Sequence, residues 1–459
     1  MKKIGKIVPS ILGVVTLYTV PLFAQTTSDS TAAPDYTWVN GQNRQHNFPL
    51  TFQKNGETIL TGVAYLDTYY NYNFAKPADN TQTISSTIGR HNEMTLNLAS
   101  IGMETNYKNV IGRLWLQFGQ MGSIIQEADG SVYRGRNSAI SNLKYIREAA
   151  AGYHFNVWQG INVEMGIFMS YIGLESYVTQ ENWNYQRSMV CDFTPFYFSG
   201  ARVQMYPSAK LKTEIWILNG WQTYNSFGKS PGVGSSTYYR PNTNLQFAAN
   251  FYLGTDTQNP DTLGQQSERI RFHHDNSIVA RYFSRPGSGG ISQAAFSINS
   301  HYGFQSNNEA NDTVRASENF MTGISVANRV WFSRNKFALT LRGDYITNQS
   351  VVNGVNTYPY LAFSPAASGG QPNNYDEAIA SNEKLKITQF TATFDVMPND
   401  HVTFRLEYGY RSSSIPYFTG SGGTTSPSGW TNGPAAVLPW AADLRKTESR
   451  ITVAVNFRL

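Results

Sequence analysis

QFTATFDVMPNDHVTFRLEYGY, residues 389 to 410, alternates apolar and polar side chains on both sides of a turn. Phe390, Ala392, Phe394 and Val396 interleave with Gln389, Thr391, Thr393 and Asp395, a period of two and therefore a strand. After Met397-Pro398-Asn399-Asp400 the alternation resumes, with Val402, Phe404, Leu406 and Tyr408 on one face and Thr403, Arg405, Glu407 and Gly409 on the other. Pro, Asn and Asp preset or tolerate turn dihedrals, so the stretch is a β-hairpin. One face is apolar and aromatic, the other polar and charged. In a soluble sandwich that pattern means core and water; repeated often enough, it equally describes a bilayer outside and a wet lumen inside.

The repetition is extensive. Ahead of the hairpin, alternating stretches run over residues 59–71, 92–103, 110–120 and 145–156, then around Val163, Met165 and Ile167. Others follow at 196–206, around Leu211, Ile215 and Ile217, and at 234–240, 245–253, 270–283, 291–302, 321–332 and 337–345. The last covers Arg450 to Leu459. The facing of the first stretch is ambiguous, the second places Met94, Leu96 and Leu98 on one side, and Asn328 interrupts an otherwise apolar face. Tight turns alternate with long connections rich in Asn, Ser, Gly and Pro, among them 72–91, 121–144, 170–195, 219–233, 254–269, 303–320, 346–383 and 412–446. The expectation is an all-β chain, a closed antiparallel transmembrane β-barrel of about 16 strands, within about 14 to 18, with short periplasmic turns and long extracellular loops. Closure also removes the edges that so many strands would expose.

The ends of the chain and its composition fit that class. Lys2, Lys3 and Lys6 precede an apolar run from Ile7 to Leu22 that ends at Phe23-Ala24-Gln25, the charge, core and small-residue order of a signal peptide over 1–24. Residues 25–58 lack sustained periodicity and form an N-terminal periplasmic leader or plug segment, with the barrel over 59–459. No other segment reads as a membrane helix and mean hydropathy is −0.37, yet barrel strands spend only alternate residues on lipid and escape such scans. Aromatic residues reach 14%, with 28 Tyr and 26 Phe, as aromatic girdles require. Without the three signal lysines, 33 basic residues face 31 acidic ones, and nothing argues for nucleic acid. Cys191 is the only cysteine, so no intramolecular disulfide exists.

Charge is confined to one face of the strands. Arg113, Lys212, Glu214, Arg281, Arg329, Arg342, Asp344, Arg405, Glu407 and Arg450 all fall on the side away from lipid, where a cation at the bilayer midplane would cost about 2 to 4 kcal/mol. They are the expected pore lining, sorting solutes by sign and size; interior ion pairs that brace the barrel are the competing reading. The aromatic stretch 170–195, with Glu175, Glu181, Arg187 and Asp192, reads either as a constriction folded into the lumen, its acids opposed to wall arginines such as Arg202, or as a surface loop. The seven histidines form no HExxH and no Cys cluster completes a metal site, His273 and His274 point to opposite faces of one strand, and no GxSxG marks a nucleophile. No cofactor, metal or catalytic residue is expected.

Several motifs carry a resemblance: TWVNGQNRQHNFPL at 37–50, GVAYLDTYYNYNF at 62–74, HNEMTLNLASIGME at 91–104, NWNYQRS at 182–188 and LNGWQ at 218–222. The chain resembles the OmpL-like β-barrel porins of Gram-negative outer membranes across roughly residues 37 to 459. The resemblance implies a porin-like barrel in the outer membrane and no particular substrate. One departure is the ending, with the last aromatic at Phe457 and Leu459 terminal. The expected function is a porin, a passive diffusion channel for small hydrophilic solutes or ions, with membrane lipid as its surroundings. The rivals are a barrel hydrolase with Ser, His and acid drawn from neighbouring strands, and a plugged structural or adhesive barrel. Barrels of this size often assemble as trimers, which makes a homotrimer a candidate, although no protomer interface is legible.

Overall fold

Each alternating stretch becomes a strand of one sheet, and the sheet closes on itself. In a computed structural model, the described residues are 35–85, 88–127, 143–225, 230–260, 266–306, 317, 319–349, 351–352, 355–356, 384–423 and 443–459. The expected signal peptide, the first part of the leader and portions of the long connections, including most of 346–383 and 412–446, lie outside them. The barrel strands are β1 (Glu57–Asn73), β2 (Met94–Tyr107), β3 (Val110–Phe118), β4 (Ile146–Phe155), β5 (Ile161–Met169), β6 (Tyr197–Ser208), β7 (Leu211–Leu218) and β8 (Gly232–Asn242). They continue as β9 (Leu245–Pro260), β10 (Gln266–Ser284), β11 (Ile291–Ser306), β12 (Phe320–Phe332), β13 (Phe337–Gln349), β14 (Leu385–Asn399), β15 (Val402–Ser413) and β16 (Thr447–Arg458). Each pairs antiparallel with its neighbour, and β1 pairs with β16 from Tyr65 opposite Arg458 to Asn73 opposite Arg450, closing the barrel.

The outer face is apolar. Ile101, Leu341, Phe404, Leu406 and Val453 stand exposed, Ile101 at 60% and Leu406 at 51%. So large a contiguous apolar surface has no place in water and is what a hydrocarbon core requires. Between them, Thr391, Thr393, Asp395, Arg405 and Glu407 point inward and are buried. Asn328 does face outward, where its side chain meets the Tyr282 hydroxyl at 3.0 Å, so the polar group on the lipid side carries its own partner.

Local backbone chemistry sets the registers. Lys108 and Asn109, at φ +50 and +69, make the two-residue turn whose twist matches the flanking strands β2 and β3. Residues 51–54, which the sequence reading put in the leader, instead form a short strand paired with the start of β1 through Asn55-Gly56. An Asn-Gly pair is a strong hairpin signal, and a search for long alternation alone passes over it. The shared facing of Met94, Leu96 and Leu98 is also corrected: Met94 and Leu96 face out, but Leu98 is fully buried. The register of β1 against β2 shifts between Asp67 and Thr68, so one extra residue on β2 sends Leu98 to the opposite face. The ambiguous first stretch resolves with Val63, Tyr65, Asp67 and Tyr69 inward and Leu66 outward.

Candidate channel interior

The connection between β5 and β6, residues 170–196, turns into the barrel. Nearly all of it is buried, and its own side chains explain why. Met189 and Phe193 pack with Met321, Ile346, Leu385 and Ile387 near one end. Tyr177 and Val178 pack with Tyr65, Leu98 and Phe196 on the β1–β2 side. Trp183 joins Trp38, Val39 and Trp331 from β12, with the Trp183 indole N–H donating to the Trp38 carbonyl at 2.9 Å. Residues 36–39 thus lie against the segment from below.

Ionic and amide groups fasten one side of the segment to the wall. Arg405 reaches the Thr179, Asn182 and Trp183 carbonyls at 2.7, 3.0 and 2.9 Å, while Asp395 holds its Nε at 2.8 Å. Arg329 donates to the Trp183 carbonyl at 2.9 Å and contacts Asp395 at 2.8 Å. Arg342 donates to the Gln186 and Arg187 carbonyls at 2.7 and 3.0 Å and to Glu175 at 3.0 Å. Glu407 accepts the Tyr185 and Gln186 amides at 2.7 and 3.1 Å, and Asp67 accepts the Tyr185 and Thr179 hydroxyls. Carbonyls of a segment with little regular structure are met by arginine forks, whose fixed geometry suits several acceptors at once.

The other side faces a cavity of about 140 Å³. Its wall comes from β3 to β10, and its near side from segment residues 170–177, 181, 187, 195 and 196 together with Gly41 and Gln42. Along the wall the charges alternate across neighbouring strands: Glu164 lies between Arg113 at 2.6 Å and Arg202 at 2.7 Å, and Lys212 pairs with Glu214 at 2.8 Å. Among the lining residues, Arg113, Arg187, Arg202 and Lys212 are matched by Glu148, Glu175, Glu181 and Glu214. Tyr171 stacks flat on Trp216, 4.9 Å between ring centroids, and stiffens that corner.

The expected lining residues therefore separate into two groups. Arg113, Lys212, Glu214, Glu175, Glu181 and Arg187 line the cavity. Arg329, Arg342, Asp344, Arg405, Glu407 and Arg450 are buried in the opposite half, where the first five bond or adjoin the segment and Arg450 lies 3.7 Å from Glu448. Arg281 sits at the tight-turn end over the Trp38 ring, and Asp192 is buried in the segment's short helix Met189–Asp192. Arg202 does not oppose the segment's acids: Glu164 on the adjacent strand claims it, because a neighbour one strand away is nearer than the loop. Of those acids, Glu181 pairs with Arg458 at 3.0 Å and Glu175 with Arg342. Sequence reading missed Asp67, Glu164, Asp395 and Arg44, the last of which donates to the Gln180 and Asn182 carbonyls of the segment at 2.6 and 2.8 Å. The first three carry the same inward alternation as the residues it chose; Arg44 lies in an aperiodic stretch and had no such signal.

Four of the histidines have side-chain partners of their own: His154 meets Asn162, His301 meets Asn299 and His273, and His46 lies between Asp35 and Asp400. With a lipid-facing barrel, an infolded segment and a charged cavity in place, the family comparison is decisive. Residues 60–456 match the family described as "Putative beta-barrel porin-2, OmpL-like". The chain belongs to this porin family. As an OmpL-like porin it is a protein of the outer membrane. No curated protein sequence matches it. Its fold is similar to that of outer-membrane expressed OmpT of Vibrio cholerae, at 10% identity and a TM-score of 0.51 over 89% of this chain and 100% of that one. It is also similar to the anion-selective porin from Comamonas acidovorans, at 8% identity and a TM-score of 0.50 over 88% and 100%. At such identities the likeness is one of fold.

Proposed function

We propose that this OmpL-like porin is a passive diffusion channel in which small hydrophilic solutes and ions pass between the infolded segment and the β3–β10 wall. The observation that carries the reading is the uneven attachment of residues 170–196: arginines of β12 to β16 grip one flank, neutral hydrogen bonds such as Tyr171 to Phe251 and Tyr177 to Gln117 reach the β3–β10 wall, and a charged cavity lies on that second flank. Selection there is steric and electrostatic. Because the lining cations and anions match in number, the channel discriminates weakly by sign, and single charges set the balance. The short turns face the periplasm, and the first 24 residues are removed on export. A homotrimer is part of this reading, checked by cross-linking in native membranes.

The deciding experiment is single-channel recording of the purified protein in a planar bilayer, with reversal potentials taken under a salt gradient. Stable steps with a small reversal potential are expected. Folded protein, shown by heat-modifiable migration, that gives no conductance steps would leave the plugged barrel as the better reading.

A further inference from the structure

The barrel interior contains a group of metal-ligating side chains that solute passage does not use. Among the described residues, His273, Asp275 and His301 each offer a ligand atom within 4.8 Å of the other two. His273 and Asp275 stand two apart on β10 and so share the inward face, and His301 on β11 lies directly opposite Asp275. All three are buried, and His273 Nε2 lies 3.0 Å from His301 Nδ1.

We propose that this hairpin binds one divalent transition-metal ion of the zinc or copper kind, through His273 Nε2, His301 Nδ1 and a carboxylate oxygen of Asp275. Two imidazoles on one zinc ion, with bonds of about 2.0 to 2.1 Å and a tetrahedral angle, place their nitrogens roughly 3.4 Å apart. The rings need to part by only a few tenths of an ångström from their present contact. Two nitrogens and one oxygen favour zinc or copper over magnesium or calcium, which take oxygen.

The surroundings orient the ligands. Asn299 Oδ1 lies 2.8 Å from His301 Nε2, and it also faces the Cys191 thiol at 3.3 Å, while its amide nitrogen donates to the Asn276 carbonyl at 3.0 Å. An acceptor fixed in that way keeps the His301 proton on Nε2 and turns the Nδ1 lone pair toward the centre, the arrangement that metal-bound histidines use. Asp275 is held by Asn250 Nδ2 at 2.9 Å and the Gly173 amide at 3.1 Å, and among the described residues no ion pair forms to it. A buried carboxylate without a cation is costly, and a dication supplies the missing charge. On binding, the metal replaces the proton shared by the two rings, which moves to Nδ1 of His273, so both imidazoles stay neutral. Gly173 and Asn250 also line the cavity, which gives the ion a route and a water for its remaining position.

Gly173 completes the arrangement. Its φ of +88 and a Cβ that would lie 3.2 Å from the Cys191 sulfur let the segment's amide come down onto Asp275. A bound ion therefore ties the segment to β10 and β11 on the side where arginines do not.

The test uses untagged, refolded protein. Zinc is titrated in competition with a chromogenic chelator, and copper(II) is added to a second sample for electron paramagnetic resonance. One zinc per chain, and copper hyperfine structure from two nitrogens, are the expected results. His273→Gln and Asp275→Asn should each weaken zinc at least about tenfold, as loss of a ligand does; His274→Gln, on the opposite face, should leave it unchanged. No stoichiometric zinc in the unaltered protein, equal binding in all three variants, or a copper spectrum without two nitrogens would overturn the site. The copper measurement needs no variant, so it decides even where a substitution prevents folding.

Discussion

Asp395 and Arg405 face each other across β14 and β15, with Arg405 Nε 2.8 Å from Asp395 Oδ1, and the remaining N–H groups of Arg405 hold three carbonyls of the infolded segment. The pair is thus a bracket on which the segment hangs. Removing one member of a buried pair costs about 3 to 5 kcal/mol, because the other charge is left without compensation.

Arg405→Ala should therefore unseat residues 179–183 and widen the passage. Single-channel conductance is expected to rise severalfold and become noisier. Arg405→Lys should not restore the parent conductance, since an ammonium cannot serve a carboxylate and three carbonyls from one plane.

Arg113 acts differently, because it borders the cavity and bonds Glu164 and not the segment. Arg113→Gln should shift the reversal potential toward cation preference, and Glu214→Gln should shift it toward anions. A permeability change of roughly two- to fivefold corresponds to about 0.4 to 1 kcal/mol of lost attraction. Shifts in the same direction for both substitutions would show that this wall does not set selectivity.

At the tight-turn end, His46 bridges Asp35, 3.6 Å away, and Asp400, at 2.9 Å. The hydrogen bond to Asp35, then that to Asp400, pushes the His46 imidazole up to about 10. Asp35 is pulled down to about 2: burial raises it, but its bonds from His46 and Thr37 outweigh that. A histidine raised in the folded state stabilises fully below its ordinary value near 6.5, and the contribution fades as pH climbs through about 10. The Asp35 contribution is present above about 3.8 and is lost only as pH falls through about 2. Protease susceptibility of residues 35–50 should accordingly increase between pH 6.5 and 10, and His46→Ala should raise it at neutral pH and flatten the dependence.

The lipid-facing assignment has its own check. Leu341 stands on the outer face between inward Thr340 and Arg342. Leu341→Arg should cost about 2 to 4 kcal/mol in a urea titration of the bilayer-inserted protein, provided the site lies near the midplane. A cost below about 0.5 kcal/mol would place Leu341 at the interface or off the lipid face.

The strands were legible because a period of two survives in sequence, even in the short stretch that became β8. Leu98 was not, because a bulge is a property of two strands and leaves no mark in one. For 170–195 the aromatic composition left burial in the lumen and a surface loop equally open, because one stretch of sequence does not show which surface it would be buried against. The anchors that grip it lie more than 100 residues away, as with Asn184 and Thr393, 2.6 Å apart across a separation of 209. The inward charges were predictable as a set, and their partners were not: whether an arginine meets a strand neighbour, as Arg202 does, or a distant carbonyl, as Arg405 does, depends on depth in the barrel and on where the segment lies. The His273, Asp275 and His301 group illustrates the same limit. One strand supplies a pair two residues apart, but only the register of β10 on β11 brings the third.

The infolded segment also constrains how the molecule forms. The seam where β1 meets β16 is crossed by it: Thr179 and Tyr185 bond Asp67 on one strand, while Thr179 meets Asn456 and Glu181 meets Arg458 on the other. The first and last strands of the closed barrel thus share a scaffold made from the middle of the chain. Contacts so distant in sequence are slow to establish, and here residues 179–185 serve as a jig that holds the two edges for zippering. Closure and filling are one event, so an assembly intermediate that fails to draw the segment inside remains an open sheet.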